Sequence, residues 1–192
     1  MPSTFSSHLE RDQANSSQAP ARCVALLRGI NVGGHGSIKM SDLRSWLLNA
    51  GFEGVETYLQ SGNVLFVPNG MDAPAQTISQ VLSNKAGLNV HVFIRTSSAL
   101  DEVVKGNPFP ESEPTQLHVA FLSDAQREFL KDVPDVASFS PESFHADEHE
   151  IYLFLPSGMG RAVLPRKLSV LKLATIRNWK TVCNLADLAR AR

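Results

Sequence analysis

The stretch Leu26–Gly36, LLRGINVGGHG, combines residue types that suit the binding of an anion. Arg28 supplies a guanidinium and Asn31 a carboxamide, while Gly33 and Gly34 permit a turn whose backbone N–H groups can point at one spot. A helix is predicted to begin shortly after this turn, and the free N–H groups of a helix N-terminus favour negative charge. The stretch therefore predicts a site for a carboxylate or a phosphate.

A second donor-rich turn, Gln60-Ser61-Gly62-Asn63, separates two predicted strands. In the sheet order derived below, the first strand ends beside the start of the third, so the two turns meet at one rim. The residues expected to bind a ligand at this rim are Arg28, Gly29, Asn31, Gly33, Gly34, Gln60, Ser61 and Asn63. A purely structural interpretation is also open, in which the glycines only permit a tight turn and the carboxamides satisfy its backbone.

A second candidate cluster comprises Arg161, Arg177, Asn178 and Trp179, at one end of a predicted second sheet. The two arginines could flank an anion, with the indole as a stacking face. In the alternative interpretation, Asn178 caps a helix and Trp179 lies in the core.

The sequence shows no evident catalytic set. Near the rim only His35 and Tyr58 could transfer a proton, so an enzyme acting on a small anion is one alternative function. Cys23 and Cys183 are isolated and match no metal spacing, so we expect no metal, no cofactor and two reduced thiols.

The elements that must position the first site follow the order β-α-β-β-α-β over residues 22–96. Cys23–Leu27 is apolar on both faces, which is typical of a central strand covered on both sides. The other predicted elements are helices at Met40–Ala50 and Pro74–Ala86 and strands at Gly54–Leu59, Asn63–Val67 and Val90–Arg95. This order is that of a ferredoxin-like unit, whose right-handed crossovers give the antiparallel sheet order 4-1-3-2.

The second half of the chain repeats the pattern. Its predicted strands are Leu117–Leu122, Ser143–Ala146, Ile151–Leu155 and Leu173–Ile176, and its predicted helices are Ser97–Lys105, Asp124–Lys131, Arg161–Leu168 and Trp179–Ala189. We therefore predict an α+β fold of two tandem ferredoxin-like (βαββαβ) units with antiparallel sheets, plus a C-terminal helix. The predicted divisions are a disordered tail at 1–20, a first domain at 21–96, a connecting segment at 97–114 and a second domain at 115–192.

The composition, with 43% hydrophobic and 19% charged residues over 192 positions, is typical of a globular protein. No apolar run reaches the roughly 18 residues of a membrane span, and no secretory signal is evident, so we expect a cytoplasmic protein without a membrane partner. Residues 161–192 carry eight basic side chains against one acidic, which favours, as an alternative function, a nucleic-acid or protein interaction module. Asn63 and Leu65 stand where an RNA recognition motif needs aromatics, which argues against nucleic acid.

Five blocks, ALLRGINVGG, IKMSDLRSWL, YLQSGNVLF, NPFP and TIRNWKTV, resemble the domain of unknown function 1697 (DUF 1697) family. The resemblance implies a bacterial-type cytoplasmic protein with two ferredoxin-like halves and no established activity. Where the family more often continues with Ser-Lys-Leu after Gly160-Arg161, this chain has Ala162-Val163-Leu164-Pro165, so the second cluster lacks a lysine. The recurring family residues fall on Arg28, Gly29, Asn31, Gly33, Gly34, Lys39, Met40, Tyr58, Gln60, Ser61, Gly62, Asn63, Asn107, Pro108, Arg161, Arg177, Asn178 and Trp179.

Our leading hypothesis is a protein that binds a small phosphate- or carboxylate-bearing metabolite at the first rim. Arg28 is the expected charge partner, the Gly33–Gly34 amides the cradle, and Gln60 and Asn63 the orienting groups. The identity of the ligand and the oligomeric state are left open by the sequence.

Overall fold

The computed structural model describes residues 22–32, 37–128 and 136–190. The strands are β1 (Cys23–Leu27), β2 (Glu53–Tyr58), β3 (Asn63–Val67), β4 (Val92–Thr96), β5 (Leu117–Phe121), β6 (Ser143–Ala146), β7 (Glu150–Phe154) and β8 (Thr175–Asn178). The α-helices are α1 (Met40–Asn49), α2 (Pro74–Ala86), α3 (Ser97–Lys105), α4 (Asp124–Arg127), α5 (Leu164–Lys167) and α6 (Trp179–Arg190).

The strands form two four-stranded antiparallel sheets with the orders β2-β3-β1-β4 and β6-β7-β5-β8. When the strands are numbered within each unit and the sheet is read from its opposite edge, both orders are the predicted 4-1-3-2 arrangement. The predicted α+β class, with two ferredoxin-like units and a closing C-terminal helix, is confirmed.

The first sheet buries both of its faces, as the apolar run of β1 predicted. Cys23, Ala25 and Leu27 pack in a core with α1 and α2. Val24 and Leu26 point to the opposite face, as successive residues of a strand must. All five residues of β1 are buried.

A shared core joins the two units. Leu26 of the first sheet and Val119 of the second belong to one cluster, together with Val103 of α3 and Leu185 of α6. The helix α3, which lies in the predicted connecting segment 97–114, is therefore part of the packing between the sheets. A third core covers the far face of the second sheet and includes Leu164 of α5.

Two predicted elements near the C-terminus are wrong in their bounds. The helix predicted at Arg161–Leu168 is reduced to α5, because Pro165 lacks an N–H group and fits only the first turn of a helix. The strand predicted at Leu173–Ile176 begins two residues later as β8, since a 3-10 turn at Ser169–Lys172 takes up the preceding chain. Arg177 and Asn178 therefore lie within β8 rather than after it.

Some predictions fall outside the described residues. These are the tail at 1–20, the turn residues Gly33, Gly34 and His35, and the part of the helix Asp124–Lys131 beyond Glu128. Within the described residues, no helix is both long and apolar enough to cross a membrane.

Gly62 is required by the way β1 and β3 meet. Its φ is +77°, and a Cβ built there would lie 2.7 Å from Cγ1 of Ile30 and 2.9 Å from Cβ of Leu27. Close approach and backbone conformation therefore both exclude a larger residue.

We expect Gly62→Ala to lower the free energy of unfolding by about 2–4 kcal/mol, because overpacking adds to the cost of a positive φ. Gly70→Ala is the matched control, since Gly70 has a φ of +74° but no atom lies within 4 Å of the place that a Cβ would take there. Urea denaturation measures both variants. Equal losses would show that the contact with Ile30 and Leu27 is unimportant.

His118 on β5 gives the fold a pH dependence. Its Nδ1 is buried and has no hydrogen-bond partner among the described residues. Burial lowers the pKa of His118 below its ordinary value of 6.5. The unfolded chain therefore binds a proton at this residue at a higher pH than the folded chain does, and stability is lost as the pH falls below about 6.5.

We expect His118→Gln to reduce the fall in melting temperature between about pH 7.5 and about pH 5.5. His91→Gln, at an exposed histidine, is the control and should leave that fall unchanged. Thermal unfolding followed by circular dichroism at each pH makes the comparison. A fall in His118→Gln as large as that of the parent protein would contradict the assignment.

Candidate functional site

One residue of the second candidate cluster, Arg177, meets the first cluster in the fold. The rim at the end of β1 belongs to the first unit, and Arg177 belongs to β8 of the second. The side chain of Arg177 nevertheless reaches Asn63 at the start of β3 and the carbonyl oxygen of Leu27 at the end of β1. We call this place the junction and define it by Arg28, Asn63 and Arg177.

The guanidinium of Arg177 is buried, with 8% of the residue exposed, and its N–H groups all point at protein oxygens. Burial lowers its pKa to about 10, and the described residues include no carboxylate paired with it. Such a charge is tolerated because hydrogen bonds to carbonyl and amide oxygens replace its hydration. Nε donates to Oδ1 of Asn63 at 2.6 Å, Nη1 to Oγ1 of Thr175 at 2.9 Å and to the oxygen of Ile176 at 3.0 Å, and Nη2 to the oxygens of Leu27 at 3.0 Å, Ser61 at 2.9 Å and Gly62 at 3.2 Å.

Asn63 orients this guanidinium. It lies opposite Leu26 in the sheet and is 0% exposed. Its Nδ2 donates to the oxygen of Tyr58 at 2.8 Å and to Oγ of Ser61 at 3.2 Å, which leaves Oδ1 facing Arg177. Both ends of the carboxamide are engaged inside the protein, so Asn63 acts on a ligand only through the groups that it positions.

Asn31 fastens the segment that leads into α1 to the turn between β2 and β3. It has a φ of 55°, which asparagine tolerates better than most residues. Its Nδ2 donates to the oxygens of Gln60 at 2.7 Å and Ile38 at 3.0 Å, and its Oδ1 accepts from the backbone N–H of Ile38 at 2.7 Å. The two turns are therefore side by side, as the strand order predicted, with the side chain of Gln60 exposed to solvent.

Arg28 belongs to the first unit and donates hydrogen bonds to the second, whereas Arg177 donates from the second unit to the first. Its Nε donates to the oxygen of Ala174 at 3.2 Å, and its Nη2 donates to the oxygen of Lys172 at 2.6 Å. Among the described residues, Nη1 has no acceptor and the guanidinium has no carboxylate partner. Arg28 is half-buried, so this nitrogen is the predicted anion donor that stays available.

The N-terminus of α1 carries a lysine at its cap position. Neither Ser37 nor Ser41 caps the helix, because Lys39 occupies the N-cap position and no side chain accepts a hydrogen bond from the first turn. A lysine at a helix N-terminus adds positive charge where the helix dipole is already positive. Asp42 in the first turn offsets part of this charge.

The second cluster is divided by the fold. Arg161 is exposed, whereas Arg177 is buried in the junction. Oδ1 of Asn178 accepts from the N–H of Thr181 at 2.8 Å and caps α6. Trp179 is partly buried and packs against the core between the sheets. Asn178 and Trp179 therefore make the contacts of the alternative interpretation, a helix cap and a core contact.

The basic segment 161–192 does not present all its charge to solvent. Arg177 is buried, and Arg190 pairs with Asp101 at 2.6 Å and with Asp187 at 2.9 Å. The exposed basic side chains that remain in this segment include Arg161 and Lys172.

Sequence reasoning missed several polar residues that join the two units. Arg95 of β4 pairs with Glu150 of β7 at 2.8 Å, and both side chains are 12% exposed. Nδ2 of Asn184 on α6 donates to the phenolic oxygen of Tyr58 at 2.6 Å. In the sequence, Arg95 and Glu150 were only charged residues of otherwise apolar strands, and Asn184 was only one polar position of an amphipathic helix, so neither pattern revealed the partner.

We expect Arg177→Met to lower the free energy of unfolding by about 3 kcal/mol or more, because Oδ1 of buried Asn63 and the carbonyl oxygens of Leu27 and Ser61 lose the donor that Arg177 supplies. Arg44→Met is the matched control, since exposed Arg44 donates to a single carbonyl, that of Val55, at 2.9 Å. It should cost less than about 1 kcal/mol. Similar costs for the two variants in urea denaturation would contradict the role assigned to Arg177.

Comparison with known proteins places this fold and rim in context. The solved structure of a conserved bacterial protein, SP0830 from Streptococcus pneumoniae, is similar to this chain with a TM-score of 0.70 and 22% sequence identity. The match covers 88% of this chain and 98% of that chain, and at this identity it supports the fold alone. No curated protein matches the chain.

A family model described as a protein of unknown function, DUF1697, matches residues 21–152. The matched range includes the turn after β1, the turn between β2 and β3 and most of the second sheet, but not Arg177. Because this range spans more than half of the chain, the protein belongs to the DUF1697 family of proteins of unknown function.

Proposed function

We propose that the protein binds a small anion, a carboxylate or a phosphate, at the outer side of the junction. The observation that carries this proposal is the guanidinium of Arg28. Two carbonyl oxygens hold it in place, and among the described residues no carboxylate neutralises it and Nη1 has no acceptor. A guanidinium fixed in this way is preorganised for an oxyanion.

The charge balance of the junction supports the same proposal. Arg28 and Arg177 bring two positive charges to one end of β1, and neither has an acidic partner among the described residues. Lys39 stands at the uncapped N-terminus of α1, which follows the same turn. Fixed positive charge in a partly desolvated place raises the local concentration of anions.

The proposal gives the rim residues separate roles. Arg28 is the charge partner, and the exposed side chain of Gln60 is the neutral orienting group. Asn31 and Asn63 act as positioning residues, since their carboxamides hold the two turns and Arg177 in place. Gly33 and Gly34 lie outside the described residues, and no step of the proposal rests on their positions.

A cytoplasmic location is proposed together with this role. Cys23 and Cys183 are both free thiols, which suits a reducing compartment.

We expect the protein to bind acetate or inorganic phosphate, and Arg28→Gln to weaken that binding about 10- to 100-fold, because a charge-assisted hydrogen bond is lost. Isothermal titration at constant ionic strength, with chloride as the reference anion, measures the affinity. Arg28→Lys keeps the charge and should retain part of the binding.

Arg44→Gln is the control for this experiment, since Arg44 lies on α1 and donates to the carbonyl oxygen of Val55, which is not one of the junction contacts. It should bind as the parent protein does. Circular dichroism at the titration temperature confirms that each variant is folded. The proposal is overturned if neither anion binds, or if Arg28→Gln and Arg44→Gln bind equally well.

A further inference from the structure

Exposed apolar residues adjoin the chain segments that are bonded at the rim and the junction. Leu173 is 53% exposed and lies between Lys172 and Ala174, whose carbonyl oxygens hold that guanidinium. Val32 is 62% exposed and directly follows Asn31 in the chain. A third such residue comes from the turn between β2 and β3.

This third residue is Leu59, which is 53% exposed and directly precedes Gln60. The hydrogen bond of 2.7 Å from Nδ2 of Asn31 to the oxygen of Gln60 brings the turns of Val32 and Leu59 together. Each of the three apolar residues is thus the chain neighbour of a residue that is bonded within the rim or the junction, and neighbouring Cα atoms are about 3.8 Å apart.

This grouping is unusual, whereas single exposed apolar side chains are ordinary. Within the ranges that the structure describes, the large hydrophobic residues exposed to solvent are Val32, Leu48, Leu59, Val136, Val163 and Leu173. Half of them, Val32, Leu59 and Leu173, adjoin the rim or the junction, on three segments that are far apart in the chain.

Leu59 adds an independent sign of function. Its φ is 57°, a left-handed conformation that strains a leucine and that glycine or asparagine would adopt at lower cost. Leu59 is therefore unfavourable both in its backbone conformation and in the exposure of its apolar side chain. Local strain that the fold maintains in this way is characteristic of binding sites.

We propose that the anion bound at the junction is an amphipathic carboxylate, a small molecule with an aliphatic chain of about four to eight carbons. This inference rests on the proposed function and adds the class of ligand to it. The carboxylate pairs with Nη1 of Arg28, and the chain lies over Val32, Leu59 and Leu173. Such a ligand removes apolar surface from water on both sides, which a phosphate ion does not.

The test is a titration series of acetate, butyrate, hexanoate and octanoate at constant ionic strength. The dissociation constant should fall about two- to threefold for each added methylene group, since the chain is buried in part. Hexylammonium has the same chain and the opposite charge, and it should not bind.

Two variants remove the apolar surface and keep the anion donor. Leu59→Asn also relieves the backbone strain, so it should fold at least as stably as the parent protein. Leu59→Asn and Leu173→Ser should both flatten the dependence on chain length. Val163→Ser is the matched control, since Val163 is 52% exposed on another segment, and it should keep the dependence.

The outcomes separate this inference from the proposed function. If acetate binds through Arg28 but longer chains bind no better, the inference is overturned and the proposed function stands. If longer chains bind equally well to Arg28→Gln and hexylammonium binds as well, the surface takes apolar ligands or a protein partner without regard to charge, and both are overturned. If no carboxylate binds, the inference is overturned, and the proposed function is overturned with it if inorganic phosphate does not bind either.

Discussion

The buried guanidinium of Arg177 is the interaction on which the junction depends. It carries a positive charge from the second unit to the end of β1 in the first, where the described residues offer it carbonyl and amide oxygens as acceptors. Removing a charge from water costs several kcal/mol unless each donor finds a partner. The two units are therefore held in one relative position, in which the end of β1 and the start of β3 face β8.

Arg28 also joins the two units by hydrogen bonds. It leaves the first unit and donates to the carbonyl oxygens of Lys172 and Ala174 in the second, while Arg177 donates in the reverse direction. The core between the sheets adds a non-directional contribution through α3 and α6. Directional bonds at the junction then select one orientation among the many that an apolar core would accept. The same bonds leave Arg28 fixed and partly exposed, with no carboxylate partner among the described residues, which is the property that the proposed site uses.

Much of the fold could be predicted from local patterns. Cys23–Leu27 is apolar at every position, and this correctly indicated a strand covered on both faces. The helix at Pro74–Ala86 and the strand at Asn63–Val67 have the bounds that their spacing indicated. The crossover rule then placed the start of β3 beside the end of β1, and the structure pairs Asn63 with Leu26 there.

The contacts of Arg177 could not be predicted in the same way. Periodicity determines which face of a strand is apolar, but it does not determine how two sheets turn those faces toward each other. The partners of Arg28 and Arg177 are mostly backbone oxygens, which every residue carries and no residue type reveals. The start of β8 at Thr175 rather than at Leu173 could not be predicted either, because the 3-10 turn before it depends on packing against the second sheet.

A double-mutant cycle between Arg177 and Asn63 tests most directly whether the two units are joined through this buried charge. The free energies of unfolding of Arg177→Met, Asn63→Ala and the double variant are compared with that of the parent protein. Our account predicts a coupling free energy of about 1–3 kcal/mol, because removing either partner leaves the other unsatisfied in a buried place. Additive effects would show that Arg177 and Asn63 contribute independently, and the junction would then not be the constraint that sets the arrangement of the units.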